Sequence, residues 1–151
     1  MAGAPHRVLP PIYLLVSLLV MTVAHALAPG PRVILPPWSY AGGGLVLAGL
    51  VLNAVSAGLF AHHHTAIKPF QESTALVTRG PFRYSRNPMY LGMLLVLMGV
   101  GVLFGTVTPF LVLPFFAIAM TRIFISAEER SLAERFGRVY LDYQHKVRRW
   151  L

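Results

Sequence analysis

Two polar stretches interrupt an otherwise apolar chain, and both carry residue types suited to holding a charged ligand. The first is Thr78-Arg79-Gly80-Pro81-Phe82-Arg83-Tyr84-Ser85-Arg86-Asn87-Pro88-Met89-Tyr90-Leu91-Gly92. Gly-Pro and Asn-Pro are turn signals that leave backbone N–H and C=O groups outside regular structure, so a compact loop here presents donors. The second opens with Glu128-Glu129-Arg130 and continues through Phe136-Gly137-Arg138-Val139-Tyr140 to Tyr143. Between them Arg122 stands in an apolar run, where a charge without a partner costs about 2.5 kcal/mol or more. Arg122 and Glu129 are seven residues apart, a spacing that shares one face of a continuous α-helix. The triple His62-His63-His64 invites a metal reading. Neighbouring histidines project around a helix axis, however, and no Glu or further His stands three or four residues away, so no metal site is expected.

Other chemistries are excluded by absence. Zero cysteines remove a disulfide framework, a thiolate metal site and a cysteine nucleophile. There is no phosphate-binding glycine loop, no dinucleotide fingerprint and no Gly-x-Ser-x-Gly elbow.

The elements that must position these residues are membrane helices. Of 151 residues, 56% are hydrophobic and 12% charged, against roughly 25% charged in soluble domains. Thirteen Lys and Arg against five Asp and Glu give +8. With a mean hydropathy of +0.63 this excess reads as membrane topology and not as a nucleic-acid surface. Charge-free stretches of 24, 35 and 35 residues separate Arg7 from Arg32, Arg32 from Lys68 and Arg86 from Arg122. Since a span needs about 20 residues, each crosses a bilayer at least once. The third is long enough for a hairpin, broken at Gly105-Thr106-Val107-Thr108-Pro109.

The chain is therefore read as an all-α, polytopic membrane protein of one domain, 1–151, with four transmembrane helices at about 9–28, 39–61, 89–105 and 108–126. Ser39 is expected to cap the second helix, whose Gly42, Gly43, Gly44, Ala48, Gly49, Ala54, Ala57 and Gly58 permit close packing. The first segment is read as a span because its apolar run exceeds a signal-peptide core and no small-x-small cleavage site follows. The loop 62–88 joins the second and third helices. The tail 127–151 begins as an amphipathic helix, with Leu132, Phe136, Val139, Tyr140 and Tyr143 three or four apart and a break at Gly137. Four spans place twelve of the thirteen basic residues on one side, so both termini and the loop 62–88 are expected in the cytoplasm.

The stretch Leu76-Val77-Thr78 to Gly92, a helical hairpin, then Glu128-Glu129-Arg130-Ser131-Leu132 and Phe136-Gly137-Arg138-Val139-Tyr140 closely resemble the integral-membrane methyltransferase superfamily, which includes isoprenylcysteine carboxyl methyltransferases and phospholipid methyltransferases. The resemblance covers about residues 65–149 and implies an enzyme that uses S-adenosylmethionine at the cytosolic face. By position it implies a cofactor site of Leu76, Val77, Phe82, Arg83, Arg86, Asn87, Pro88, Met89, Tyr90 and Glu128. The chemistry is compatible. Phe82 and Tyr90 offer ring faces to adenine or the sulfonium, Glu128 an acceptor for ribose hydroxyls or the ammonium, and Arg83 or Arg86 a fork for the carboxylate.

Asn87 stands where many relatives carry histidine, and an amide carries no proton at neutral pH, which excludes a general base there. Phe82 stands where tyrosine is common. Methyl transfer is a direct displacement that needs alignment and a favourable field. Arg122 and Glu129 are the candidate catalytic pair: Arg122 to orient an anionic acceptor, Glu129 or Tyr90 to relay the proton of an amine acceptor. The expected partner is a lipid or lipophilic acceptor, an isoprenylcysteine carboxylate or a phospholipid amine, entering from the membrane. Sterol reductases, which use a nicotinamide cofactor, are similar in their C-terminal half but are longer. A non-enzymatic membrane scaffold or transporter subunit has no need of the Glu128-Glu129 pair opposite Arg86-Asn87-Pro88.

Overall fold

The computed structural model describes residues 9–62 and 75–151. His63 and His64, together with the first half of the loop 62–88, lie outside them. Six α-helices carry the fold: α1 (Pro10–Leu27), α2 (Ala41–His62), α3 (Pro88–Phe104), α4 (Val112–Met120), α5 (Ser126–Phe136) and α6 (Arg138–Lys146). Among the described residues every regular element is helical, and the one pairing of extended chain is an isolated bridge between Arg32 and Thr106.

Pro10 and Pro11 start α1 and Pro88 starts α3, positions where a missing N–H costs no helical hydrogen bond. Three helices are long and apolar enough to cross a membrane: Pro10–Leu27, Trp38–His62 and Thr108–Phe136. The fourth apolar helix, Pro88–Phe104, is shorter. Their outward faces agree with that reading. Leu15, Leu19, Leu47, Val51, Phe115 and Ile118 are all exposed, an apolar area that water would penalise and lipid accepts.

The tightest helix contact joins α2 to α3. Gly42 and Gly49 face Gly99 and Gly92 across an antiparallel crossing, each pair seven residues apart and so on one face. A Cβ on Gly99 would stand 2.6 Å from the Gly42 carbonyl oxygen, and one on Gly92 2.8 Å from that of Gly49. The other glycines of α2 do not share this contact: a Cβ on Gly43, Gly44 or Gly58 would meet nothing within 4 Å. Spacing, and not smallness alone, selects the packed face.

Two local expectations are corrected. Ser39 does not cap α2. It is buried inside a short 3-10 turn, Trp38–Tyr40, and the helix proper starts at Ala41. Nor does the last apolar helix end near residue 126. From Thr108 it runs without interruption to Phe136, because no glycine or proline stands between Pro114 and Gly137 and a change of polarity does not break a hydrogen-bond ladder. Within it Thr121–Ile125 forms a π turn, where the Ser126 hydroxyl donates to the Thr121 carbonyl at 2.8 Å. Gly137, at φ 51°, then turns the chain into α6, a backbone conformation that side-chain-bearing residues rarely adopt.

The core gathers Met21 of α1, Tyr90, Met93 and Leu97 of α3, and Phe116, Met120, Phe124 and Ile125 of the last long helix, with Trp150 packed against it. At the opposite end of the helices, His25 stacks on Phe104 with ring centroids 4.4 Å apart and places Nδ1 2.8 Å from the Thr106 hydroxyl. The core contacts, Tyr90 with Phe124 and Ile125, hold the start of α3 against the polar end of the last long helix, and the His25 contacts tie the far end of α3 to α1.

Candidate functional site

The polar loop folds against that end. Gly80–Arg83 is a 3-10 turn, and Phe82 inside it is buried against Phe60 of α2 in an edge-on contact of 5.1 Å. The Tyr143 hydroxyl of α6 donates to the Phe82 carbonyl at 2.6 Å. Past the turn, the Asn87 N–H donates to the Ser85 hydroxyl oxygen at 3.1 Å. Pro88 then begins α3, which carries Tyr90 one half-turn further on.

Glu128 and Glu129, adjacent in sequence, have different surroundings. Glu129 is buried and receives two guanidiniums. Arg86 Nη2 lies 2.9 Å from Oε1, and Arg149 approaches both carboxylate oxygens, with Nε 3.1 Å from Oε1 and Nη2 on Oε2. Arg86 also donates from Nη1 to the Gln144 carbonyl at 3.3 Å. With Arg86 and Glu129 side chains about a tenth exposed or less, the desolvation of these ions is offset only because three residues share the charge and the hydrogen bonds. Glu128 accepts from the Tyr90 hydroxyl at 2.8 Å, and among the described residues no cation pairs with it. The buried Arg86 Nε–H has no hydrogen-bond partner among them either.

The site thus keeps one carboxylate without a counter-charge and one buried donor without an acceptor. A ligand bearing both cationic and anionic groups would complement that remainder.

Electrostatics around the cluster follow burial. The Tyr140 phenol is pushed up to about 12, first by burial and then by the charge of Glu129. The Tyr143 phenol is pushed up to about 12 by burial and then by Tyr140. Arg149 holds its proton more firmly than usual because Glu129 accepts its hydrogen bonds.

The residues anticipated from sequence divide into two groups. Phe82, Arg86, Asn87, Pro88, Tyr90, Glu128 and Glu129 meet at this end, with Val77 buried and Leu76 and Met89 partly buried beside them in the chain. Arg83 and Arg122 are exposed, and neither makes a hydrogen bond or ion pair among the described residues. Arg122 sits in the π turn, which inserts about one residue step, roughly 100°, between it and Glu129. Their seven-residue spacing consequently does not give a shared face, and one is exposed while the other is buried. Nor does Glu128-Glu129 open a helix whose dipole it could complement, since the ladder continues through it from α4.

Sequence reasoning missed Arg149, Ser85 and Tyr143. Arg149 meets Glu129 from 20 residues away and Asn87 from 62. No periodicity connects such positions.

The sequence profile of the phospholipid methyltransferase family matches residues 38–139. An uncharacterized protein of Haemophilus influenzae is 36% identical over 63 residues, which are 42% of this chain and all of that protein. Among solved structures, the eukaryotic intramembrane Ras methyltransferase ICMT (isoprenylcysteine carboxyl methyltransferase) superposes with a TM-score of 0.67 at 21% identity, over all of this chain and 53% of that one. This chain therefore spans about half the length of that protein, and the likeness is one of fold.

Proposed function

Because the chain belongs to the phospholipid methyltransferase family, within the integral-membrane methyltransferases, we propose that it transfers a methyl group from S-adenosylmethionine to a lipidic or membrane-associated acceptor. The observation that carries this reading is the divided glutamate pair: among the described residues, Glu129 is saturated by Arg86 and Arg149 and Glu128 is left with Tyr90. A scaffold would gain nothing from a carboxylate kept without a cation in a largely apolar setting.

The cofactor, when bound, supplies an electrophilic methyl on sulfur. The protein's part is alignment. Glu128 would receive the cofactor's ammonium or ribose hydroxyls, with the Tyr90 hydroxyl fixing the carboxylate's orientation. Arg86, tethered by Glu129 and Gln144, would offer its remaining Nε–H, and Phe82 and Val77 an apolar wall. Leu76, Pro88, Met89 and Asn87 complete the proposed cofactor site, with Arg83 at its exposed rim. Arg122, exposed at the π turn, would address an anionic acceptor group from the membrane side. Glu129 would act by holding the arginines and not by moving a proton.

The single domain is proposed to cross the membrane four times, α3 counted as a span because 17 residues reach the lower limit for crossing. Both termini and the site would face the cytoplasm, where twelve of thirteen basic residues then lie.

The test is ligand-dependent stability in detergent, followed by transfer of labelled methyl to lipid extract. S-adenosylmethionine should raise the melting temperature, since a ligand of the folded state alone stabilises it in proportion to RT ln(1 + [L]/Kd). Stabilisation by NADPH and not by S-adenosylmethionine would overturn the reading in favour of a reductase.

A further inference from the structure

The chain leaves α6 at Val147 in extended conformation, and residues 147–150 lie along the loop that carries Asn87. The Arg148 carbonyl accepts the Arg86 N–H at 3.0 Å. The Arg149 carbonyl accepts the Asn87 side-chain amide at 3.0 Å and the Ser85 hydroxyl at 3.4 Å. The Arg149 guanidinium grips Glu129, and Trp150 packs against the core cluster that contains Tyr90 and Phe124. Three consecutive residues, Arg148, Arg149 and Trp150, thus join this strap to Arg86, Asn87 and the cluster around Tyr90, all assigned above to the cofactor, and to Glu129, which holds Arg86.

We propose that residues 147–150 are a working part of the ligand site and that Arg149 is a positioning residue within it. The inference rests on the cofactor reading above and adds a residue outside the span matched by the family profile. Its physical basis is the division of charge. With Arg149 forked onto Glu129, Arg86 is not the sole counter-ion of that carboxylate, and neither guanidinium is drawn to Glu128. Glu128 stays available to a cationic ligand. The Arg149 carbonyl also fixes one N–H of the Asn87 amide, which gives the remaining amide N–H and the amide oxygen a set direction. Lysine keeps the charge of Arg149 but not the fork.

The experiment uses a Trp38→Phe background, so that Trp150 is the single indole and reports whether the strap is docked. Affinity for S-adenosylmethionine is measured by calorimetry in detergent alongside Trp150 emission and melting temperature. Arg149→Ala should weaken cofactor binding about tenfold, with Trp150 emission unchanged because its packing and the backbone bonds remain. Arg149→Lys should recover part of that loss, and turnover at saturating cofactor should change far less than the affinity. Unchanged affinity in Arg149→Ala with the strap still docked would make it a structural clasp and overturn the proposal. Should Arg149→Ala fail to fold, Arg149→Lys decides: reduced affinity at a wild-type melting temperature supports the positioning role, and wild-type affinity overturns it. Failure of the parent protein to bind S-adenosylmethionine overturns the methyl-transfer reading, and the strap's role with it. Parent binding with unaltered variants overturns the strap alone.

Discussion

Neighbouring glutamates with opposite duties give the sharpest expectations at the level of single residues. Glu129 is the shared counter-ion of two guanidiniums, so Glu129→Gln leaves a buried positive charge without compensation and should cost about 3 kcal/mol or more of stability. Among the described residues Glu128 holds only a tyrosine hydroxyl, so Glu128→Gln should leave the fold nearly as stable while weakening S-adenosylmethionine binding by roughly 1.5 to 3 kcal/mol. Chemical denaturation and calorimetry on the two variants separate these outcomes, and equal loss of stability in both would show that the division is wrong. Arg122→Ala should bind cofactor with unchanged affinity, since the side chain is exposed and has no partner among the described residues, yet turn over more slowly if it orients the acceptor. A normal rate would make Arg122 an anchor to lipid headgroups. Tyr140 and Tyr143 set a pH limit. Both are raised to about 12 from 10, so the folded protein retains protons that the unfolded chain releases. Their contribution to stability is fully present below pH about 10 and is lost as pH rises through about 12. In a phenolate absorbance titration Tyr140→Phe and Tyr143→Phe should each remove one late-ionising tyrosine.

Between elements, the contact that holds the loop in place is the backbone approach of α2 to α3. Membrane helices associate without a hydrophobic drive and depend on such close packing. Gly99→Leu would push a side chain against the Gly42 carbonyl and should destabilise by about 1 to 3 kcal/mol or more, the usual cost of overpacking. Gly44→Leu, on a face with nothing within 4 Å, should be tolerated. Thermal unfolding of the two variants in detergent checks the contrast, and equal effects would mean that the helices are not held at this face. The continuous helix Thr108–Phe136 links membrane to site in a different way. Its π turn shifts the facing of everything after residue 125, which brings Glu129 toward Arg86 and leaves Arg122 outside.

For the molecule as a whole the testable property is orientation. In this cysteine-free chain, Leu35→Cys and Ser131→Cys are both exposed positions at opposite ends of the helices. If twelve of the thirteen basic residues face the cytoplasm, an impermeant thiol reagent should label Leu35→Cys in intact cells and reach Ser131→Cys only after lysis. The reverse pattern would invert the topology and place the site outside.

The helical class, the membrane setting and the start of each long apolar helix were legible in the residues themselves, because hydropathy, proline and charge act locally and the bilayer imposes its own length. So was the meeting of Arg86, Asn87, Tyr90 and Glu128 at one end of the helices, through an ordered pair of motifs. The end of the last long helix was not, since polarity changes at Ser126 while the hydrogen-bond ladder runs on to Phe136. Nor was the identity of the packed glycines, which depends on which face of α2 meets α3. Only the tertiary structure decided that, among the described residues, Glu129 takes two arginines and Glu128 none, because a charge's partner is set by which side chains the folded backbone brings within a few ångströms. Arg149 reaches Glu129 and Asn87 through a strap whose course is fixed by α6, Gly137 and the packing of Trp150.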